Sequence, residues 1–176
     1  MTSMQDNIFL VGCMGAGKTT IGRQLARRME LEFVDSDHVI EERTGVRIPV
    51  IFDIEGEQGF RKREQKIIDE LTRMQGIVLA TGGGAVLAPE NREHLRKRGT
   101  VVYLCAPLEQ LLARTRRDRN RPLLATDDPH QRMRTLLDER DPLYRQVADL
   151  NVNTRHRTVK QIINRICTYL NEHTDR

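Results

Sequence analysis

Gly12, Gly17, Lys18 and Thr19 stand at the spacing G-x-x-x-x-G-K-[ST] inside "NIFLVGCMGAGKTT", with an apolar β-forming run before them and a helix pattern after. Strand, glycine loop and helix in that order suit one task, the grip on a chain of phosphates. Glycines let successive backbone N–H groups turn inward with no Cβ in the way. The helix N-terminus adds partial positive charge. Lys18 brings a mobile full charge to the outer phosphates, and the Thr19 hydroxyl is a ligand for Mg²⁺. The plainer alternative, a turn with an incidental lysine, leaves the full motif in its context unexplained. The dinucleotide spacing G-x-G-x-x-G is not met here.

A phosphate loop of this kind usually works with an aspartate at the end of a later apolar strand, which holds Mg²⁺. Here "GIVLA" runs into Thr81 and three glycines with no acid, so the carboxylate must come from elsewhere. Asp35 and Asp37 end the run "EFVDSD" two residues apart. If the extended geometry continues, both face the same side, one for the metal and the other for an acceptor hydroxyl. Alternatively they close the strand and cap the next helix, positions that Asp and Ser favour. "TGGG", residues 81–84, holds more glycine than a tight turn needs, which suits a ligand lying against the backbone.

Five arginines fall in the eight positions from Arg114 to Arg121. No aromatic residue interleaves to stack bases, and a solvated helix face accounts for Arg114, Arg116 and Arg117. Arg121 differs, because "RPLL" leaves the helix. A lone arginine on a loop near a phosphate loop reads as one supplied in cis to a transferring phosphoryl group. Arg61 begins "RKRE" near the start of a long helix pattern. Arg140 sits in "ERDPLY", where Pro142 is expected to end the preceding helix.

The elements that must position these groups alternate along the chain. Apolar runs at Ile8–Val11 and in "EFVDSD", "GIVLATGGG", "TVVYLCA" and "DLNVNT" read as strands. Helix patterns cover residues 18–29 and 56–74, start at Pro89 and Pro107, and close the chain with Val159, Ile162, Ile163, Ile166 and Leu170 on one face. Strands separated by helices imply βαβ units. The expectation is an α/β fold: a three-layer αβα domain over residues 1–176 with a five-stranded parallel sheet. Ligands of such sheets sit beyond the carboxyl ends of the strands. Residues 37–63 and a segment around 117–127 read as insertions on that core.

Composition agrees with one globular domain of 176 residues, 38% hydrophobic and 31% charged. Four Phe, three Tyr and no Trp leave the core to Leu, Ile and Val. The net charge of +4 implies an affinity for anions without the clustered charge of a nucleic-acid binder. Cys13, Cys105 and Cys167 form no C-x-x-C pair and suit a reducing compartment. No apolar run has the length to span a bilayer. "LVGC" resembles a lipoprotein cleavage box, but no basic segment precedes it and the apolar run is short. The expectation is a cytoplasmic monomer with neither nucleic-acid nor membrane partners.

The pieces "GCMGAGKTT", "FVDSD", "FDIEGEQGFRKRE", "VLATGGGAV", "RPLL" and "ERDPLY" occur in the order and at the spacing of shikimate kinases, and the chain resembles that family over nearly its whole length. The resemblance implies a P-loop fold of the nucleoside-monophosphate-kinase type, with a core, a shikimate-binding region at about 37–63 and a lid at about 114–127. It implies ATP held by Gly15, Ala16, Gly17, Lys18, Thr19 and Thr20, with Arg121 on the lid and Arg157 as a further nucleotide contact. Mg²⁺ would be held by Thr19 and Asp35. Shikimate would meet Asp37, Arg61, Arg140 and the backbone of Gly82, Gly83 and Gly84. Lys18, Asp37 and Arg121 would form the catalytic set, with Asp37 placed to take the proton of the 3-hydroxyl. The implied reaction sends the γ-phosphate of ATP to that hydroxyl, on the route to chorismate and the aromatic amino acids. A gluconate kinase would share the P-loop and the size, but gives no account of "ATGGG" together with Arg61 and Arg140. A nucleic-acid-binding regulator would rest on the arginine run alone.

Overall fold

Five short runs form one parallel sheet in the computed structural model, which describes residues 6–116, 118 and 120–173. β1 (Asn7–Val11) and β3 (Ile77–Ala80) lie inside the sheet, and every residue of both is buried. β2 (Glu32–Asp35) borders β3, while β4 (Gly99–Cys105) and β5 (Leu150–Asn153) continue beyond β1, giving the order β2-β3-β1-β4-β5. Burial on both faces is why the inner strands read as continuous apolar runs and not as alternating ones.

Among the described residues there are seven α-helices: α1 (Lys18–Met29), α2 (Ser36–Thr44), α3 (Ile48–Leu71), α4 (Pro89–Arg98), α5 (Leu108–Thr115), α6 (Pro129–Val147) and α7 (Val159–His173). α1 buries Ile21, Leu25 and Ala26, and packs beside α7, which buries Ile162, Ile163 and Ile166. α4 and α6 lie against β4, and α3 lies against α4. The expected α/β core with five parallel strands is the observed one. Its switch point falls at β1, whose neighbours β3 and β4 lead away to opposite sides. The Thr81 N–H donates to the Leu10 carbonyl at 3.1 Å, which sets the loop after β3 beside the loop after β1.

Two helix boundaries depart from expectation. The pattern over residues 56–74 is the second part of α3, which already begins at Ile48 and ends at Leu71. Gly56, at φ 71° and ψ 178°, interrupts it. That backbone angle favours glycine, so the chain bends there while hydrogen-bonded turns continue on both sides. Pro49 sits in the first turn, where its missing N–H costs nothing. Pro142 does not end a helix either, because α6 runs through it to Val147. The proline removes one backbone bond, but Met133, Leu136, Arg140, Tyr144 and Val147 are all buried along α6, and tertiary burial decides helix stability more than propensity does. Among the described residues no helix is long and apolar enough to cross a membrane.

Candidate active site

The loop between β1 and α1 has the backbone its glycines predict. Gly12, Gly15 and Gly17 have φ of 151°, 84° and 96°. A Cβ on Gly12 would stand 2.9 Å from the Leu104 carbonyl oxygen, so even the approach to the loop is closed to side chains. Gly17 caps α1 with no side-chain acceptor, which leaves the helix N-terminus to an anion. Lys18 folds over the loop, its ammonium donating to the carbonyls of Gly12 and Cys13 at 2.5 and 3.0 Å. Burial, reinforced by the Arg121 charge, pushes its pKa down to about 8. Ala16 is buried within the loop, and Thr20 is exposed on the first turn of α1.

The second aspartate does not follow the strand. β2 ends at Asp35, and α2 begins at Ser36, so the two acids do not share a face by extended geometry. Asp35 is the N-cap: its Oδ1 accepts from the N–H groups of Asp37 and His38 at 3.0 and 3.3 Å. Its Oδ2 remains on the other side and accepts from the Thr19 hydroxyl at 3.1 Å. Capping and a place beside Thr19 are therefore combined in one carboxylate. Asp37 stands two residues further on, in the first turn of α2.

Asp37 faces a second group of side chains. Arg61 donates to Glu64 at 2.7 Å and to Glu57 at 3.4 Å. Glu64 is 1% exposed and Arg140 is 2% exposed, a burial that charged groups rarely reach without a partner. Asp37 Oδ1, Glu64 Oε2, Arg61 Nε and Arg140 Nε are all buried with no hydrogen-bond partner among the described residues. Burial, then the charges of Glu64 and Asp35, raises Asp37 to about 7. Glu64 is also raised, by burial, against the pull of Arg61. Arg121 reaches toward this group from the turn before α6, with Nη1 4.0 Å from Asp37 Oδ2 and Nε donating to Asp118 at 2.9 Å.

The three glycines after β3 supply room for these side chains. None of them has positive φ, so conformational freedom is not what they provide. A Cβ at Gly82 would lie 2.7 Å from Asp37 Oδ1 and 2.9 Å from Glu64 Oε2. One at Gly84 would overlap the Arg61 guanidinium, and one at Gly83 would press on Arg140 Nη1 at 3.4 Å. The result is a polar pocket lined by Asp37, Arg61, Glu64, Arg140 and the glycine backbone, with Ile48, Phe52 and Phe60 as its apolar wall. A second cavity lies over Gly15, Gly17, Lys18, Thr19 and Thr20. Met14, Asp37, Gly82, Gly83 and Arg121 line both.

Several contributors escaped the sequence reading. Arg114 is not idle on a solvated face, because its Nη1 donates to the Gly15 carbonyl at 3.1 Å. Glu64 stands three residues after Arg61, a spacing at which helical side chains meet, and that spacing was the available signal. Ser36 accepts from the Gly82 N–H at 3.0 Å, and the Tyr144 hydroxyl donates to the Gly83 carbonyl at 2.5 Å. Arg157 stands in the turn after β5 with an exposed side chain. Arg116 is exposed, while Arg117 and Arg119 of the arginine run lie outside the described residues.

Comparison with known proteins adds to this geometry. The profile of the shikimate kinase family matches residues 14–171. The shikimate kinase of Thiobacillus denitrificans is 61% identical over 157 residues, covering 89% of this chain and 86% of that protein. A solved shikimate kinase from Acinetobacter baumannii in complex with shikimate superposes with a TM-score of 0.93 at 51% identity, covering 96% of this chain and 94% of the other. A gluconokinase from Sinorhizobium meliloti 1021 matches at a TM-score of 0.58 and 14% identity, over 96% of this chain and 93% of that one, which is a likeness of fold alone. Identity this high over nearly the full length, in a chain whose motifs converge on one crevice, goes well beyond a shared fold, and the chain belongs to the shikimate kinase family.

Proposed function

We propose that the chain transfers the γ-phosphoryl group of ATP to the 3-hydroxyl of shikimate, giving shikimate 3-phosphate and ADP on the way to chorismate. The observation that carries this reading is the shared lining of the two cavities: Met14, Asp37, Gly82, Gly83 and Arg121 border both the P-loop and the Arg61–Arg140 pocket. A phosphoryl group held on one side needs no further travel to meet a hydroxyl held on the other.

Shikimate is a small triol with one carboxylate. In the proposed pose Arg61 and Arg140 hold that carboxylate, each with a guanidinium fork suited to it. The buried and unpartnered Nε atoms of both arginines support a polar ligand there. The backbone of Gly82, Gly83 and Gly84 meets the hydroxyl side. Asp37 accepts the proton of the 3-hydroxyl as the oxygen attacks phosphorus, and its buried, unpartnered Oδ1 has the pKa of a base that works near neutrality. Lys18 and the α1 N-terminus hold the outer phosphates, with Gly15, Ala16, Gly17 and Thr20 completing the nucleotide loop. Arg121, on a lid at about 114–127, stabilises charge on the transferring oxygens.

The Thr19 hydroxyl and Asp35 Oδ2, 3.1 Å apart, offer a set of hard oxygen donors that fits Mg²⁺, which takes one or two protein ligands and completes its shell with phosphate and water. Bound there, Mg²⁺ would neutralise charge on the phosphates. Arg157 is retained as a nucleotide contact on family resemblance alone. The working unit we propose is a monomer.

ADP release measured over shikimate, gluconate and nucleoside monophosphates tests the reading. Turnover with shikimate alone is expected, and turnover with gluconate alone overturns it.

A further inference from the structure

Tyr144 is fully buried beneath the glycine loop. Its hydroxyl donates to the Gly83 carbonyl at 2.5 Å and lies 3.7 Å from Cys13 Sγ in the P-loop. Its ring packs on Tyr103 with centroids 4.9 Å apart, and the Tyr103 hydroxyl donates to Asp141 at 2.6 Å, tying α6 to β4. Tyr144 follows Arg140 by four residues, so the two share a face of α6. On the opposite flank Ser36, also fully buried, accepts from the Gly82 N–H at 3.0 Å.

Two of the peptide units in this loop are thus held by side chains from different helices. Ser36 holds the Thr81–Gly82 unit by its N–H, and Tyr144 holds the Gly83–Gly84 unit by its C=O. In a planar trans peptide the N–H points opposite to the C=O. The bond from Tyr144 therefore also turns the Gly84 N–H away from α6. Consecutive glycines have wide backbone freedom and no side chains of their own to restrict it; the Ala85 N–H holds the Gly82 carbonyl at 3.0 Å from within the turn, and Ser36 and Tyr144 hold the peptide units on either side of that one.

We propose that Tyr144 and Ser36 are positioning residues of the acceptor pocket, which hold the Gly82–Gly84 backbone in the orientation that meets the acceptor. This rests on the reading of that pocket as the shikimate site. Neither side chain lines either cavity, so both act through the loop. Donors fixed in advance avoid the ordering cost that a mobile loop meets on binding. The effect belongs chiefly to the acceptor side, since Gly84, whose N–H the Tyr144 bond orients, lines the acceptor pocket and not the nucleotide loop's cavity.

Steady-state kinetics of Tyr144→Phe and Ser36→Ala, with shikimate and ATP varied separately, test the inference. Tyr144→Phe keeps the ring on Tyr103 and removes only the hydroxyl. We expect the shikimate KM to rise about tenfold, the effect of leaving one buried carbonyl unpaired, with the ATP KM within about twofold of the parent. Ser36→Ala is expected to act in the same direction. Variants of an active parent that change both KM values alike, or neither, overturn the inference. A parent inactive on shikimate contradicts the functional reading itself. Should circular dichroism show Tyr144→Phe unfolded, Ser36→Ala alone decides.

Discussion

Asp37 and Glu64 point unpartnered oxygens at the same spot above Gly82, where a single methyl group would touch Asp37 Oδ1 at 2.7 Å and Glu64 Oε2 at 2.9 Å. Two carboxyl groups converging in a buried place cannot both ionise freely. Arg61 neutralises one, and Arg121 stands 4.0 Å from the other. The acid–base behaviour of the site follows from this arrangement.

Activity should depend on the ionised form of Asp37. Its pKa near 7 predicts that kcat/KM for shikimate rises with pH through about 7. Glu64 contributes to that elevation by its charge, so Glu64→Gln should move the rising limb to lower pH. A pH–rate profile of parent and variant checks both the limb and the direction of its shift.

Stability should run the other way. A carboxyl raised from 3.8 to about 7 holds its proton in the folded state after the unfolded chain has lost it. The unfolded state then binds fewer protons, and stability falls as pH rises between those values. Asp37→Asn removes this cost. It should unfold at a higher temperature than the parent at pH 8, by at least roughly 2–4 °C, the shift that about 1 kcal/mol gives in a chain of this size. The advantage should vanish near pH 4. Calorimetry at the two pH values measures it.

Gly82→Ala should be nearly inactive although the backbone there is unstrained. The added methyl must displace Asp37 and Glu64 together. A misplacement of about 1 Å in a reacting group costs on the order of 10²-fold in rate, and kcat/KM for shikimate should fall by at least that much. Parent-like kinetics would mean that the two carboxylates are not held where the structure puts them.

Much of this was legible in the sequence, and the limits have physical causes. The P-loop is contiguous, so its residues and its backbone are coded together, and Gly12, Gly15 and Gly17 have the positive φ that such a loop asks of glycine. The strands were readable because burial on both faces leaves unbroken apolar runs such as "IFLV". Pro142 misled because its cost is local, while the burial of Arg140 and Tyr144 that outweighs it is tertiary. Strand geometry gives Asp35 and Asp37 a shared face only if the strand continues; the capping alternative is the one found, because Asp35 caps α2, which starts at the next residue. Ser36 and Tyr144 look ordinary in a sequence. Only folding brings them to a loop that lies dozens of positions away.

Asp35→Asn should separate two duties. Asn caps a helix about as well as Asp, so α2 and thermal stability should be preserved. The charge beside Thr19 is lost, and the Mg²⁺ concentration for half-maximal rate should rise about tenfold, the scale on which altered metal-site partners act. A Mg²⁺ titration at saturating ATP and shikimate reads this out.

Arg121 and Arg140 should fail differently. Arg121→Ala is expected to lower kcat by about 10³-fold or more, as loss of a transition-state arginine does. Arg140→Ala should act chiefly on the shikimate KM, because a carboxylate contact is the same in ground and transition states.

The most direct test is a crystal structure with ADP and shikimate bound together. The account predicts the carboxylate within hydrogen-bonding distance of both Arg61 and Arg140, with the 3-hydroxyl on Asp37 and facing the P-loop. A carboxylate bound away from those arginines, or a 3-hydroxyl turned from the nucleotide, would contradict it.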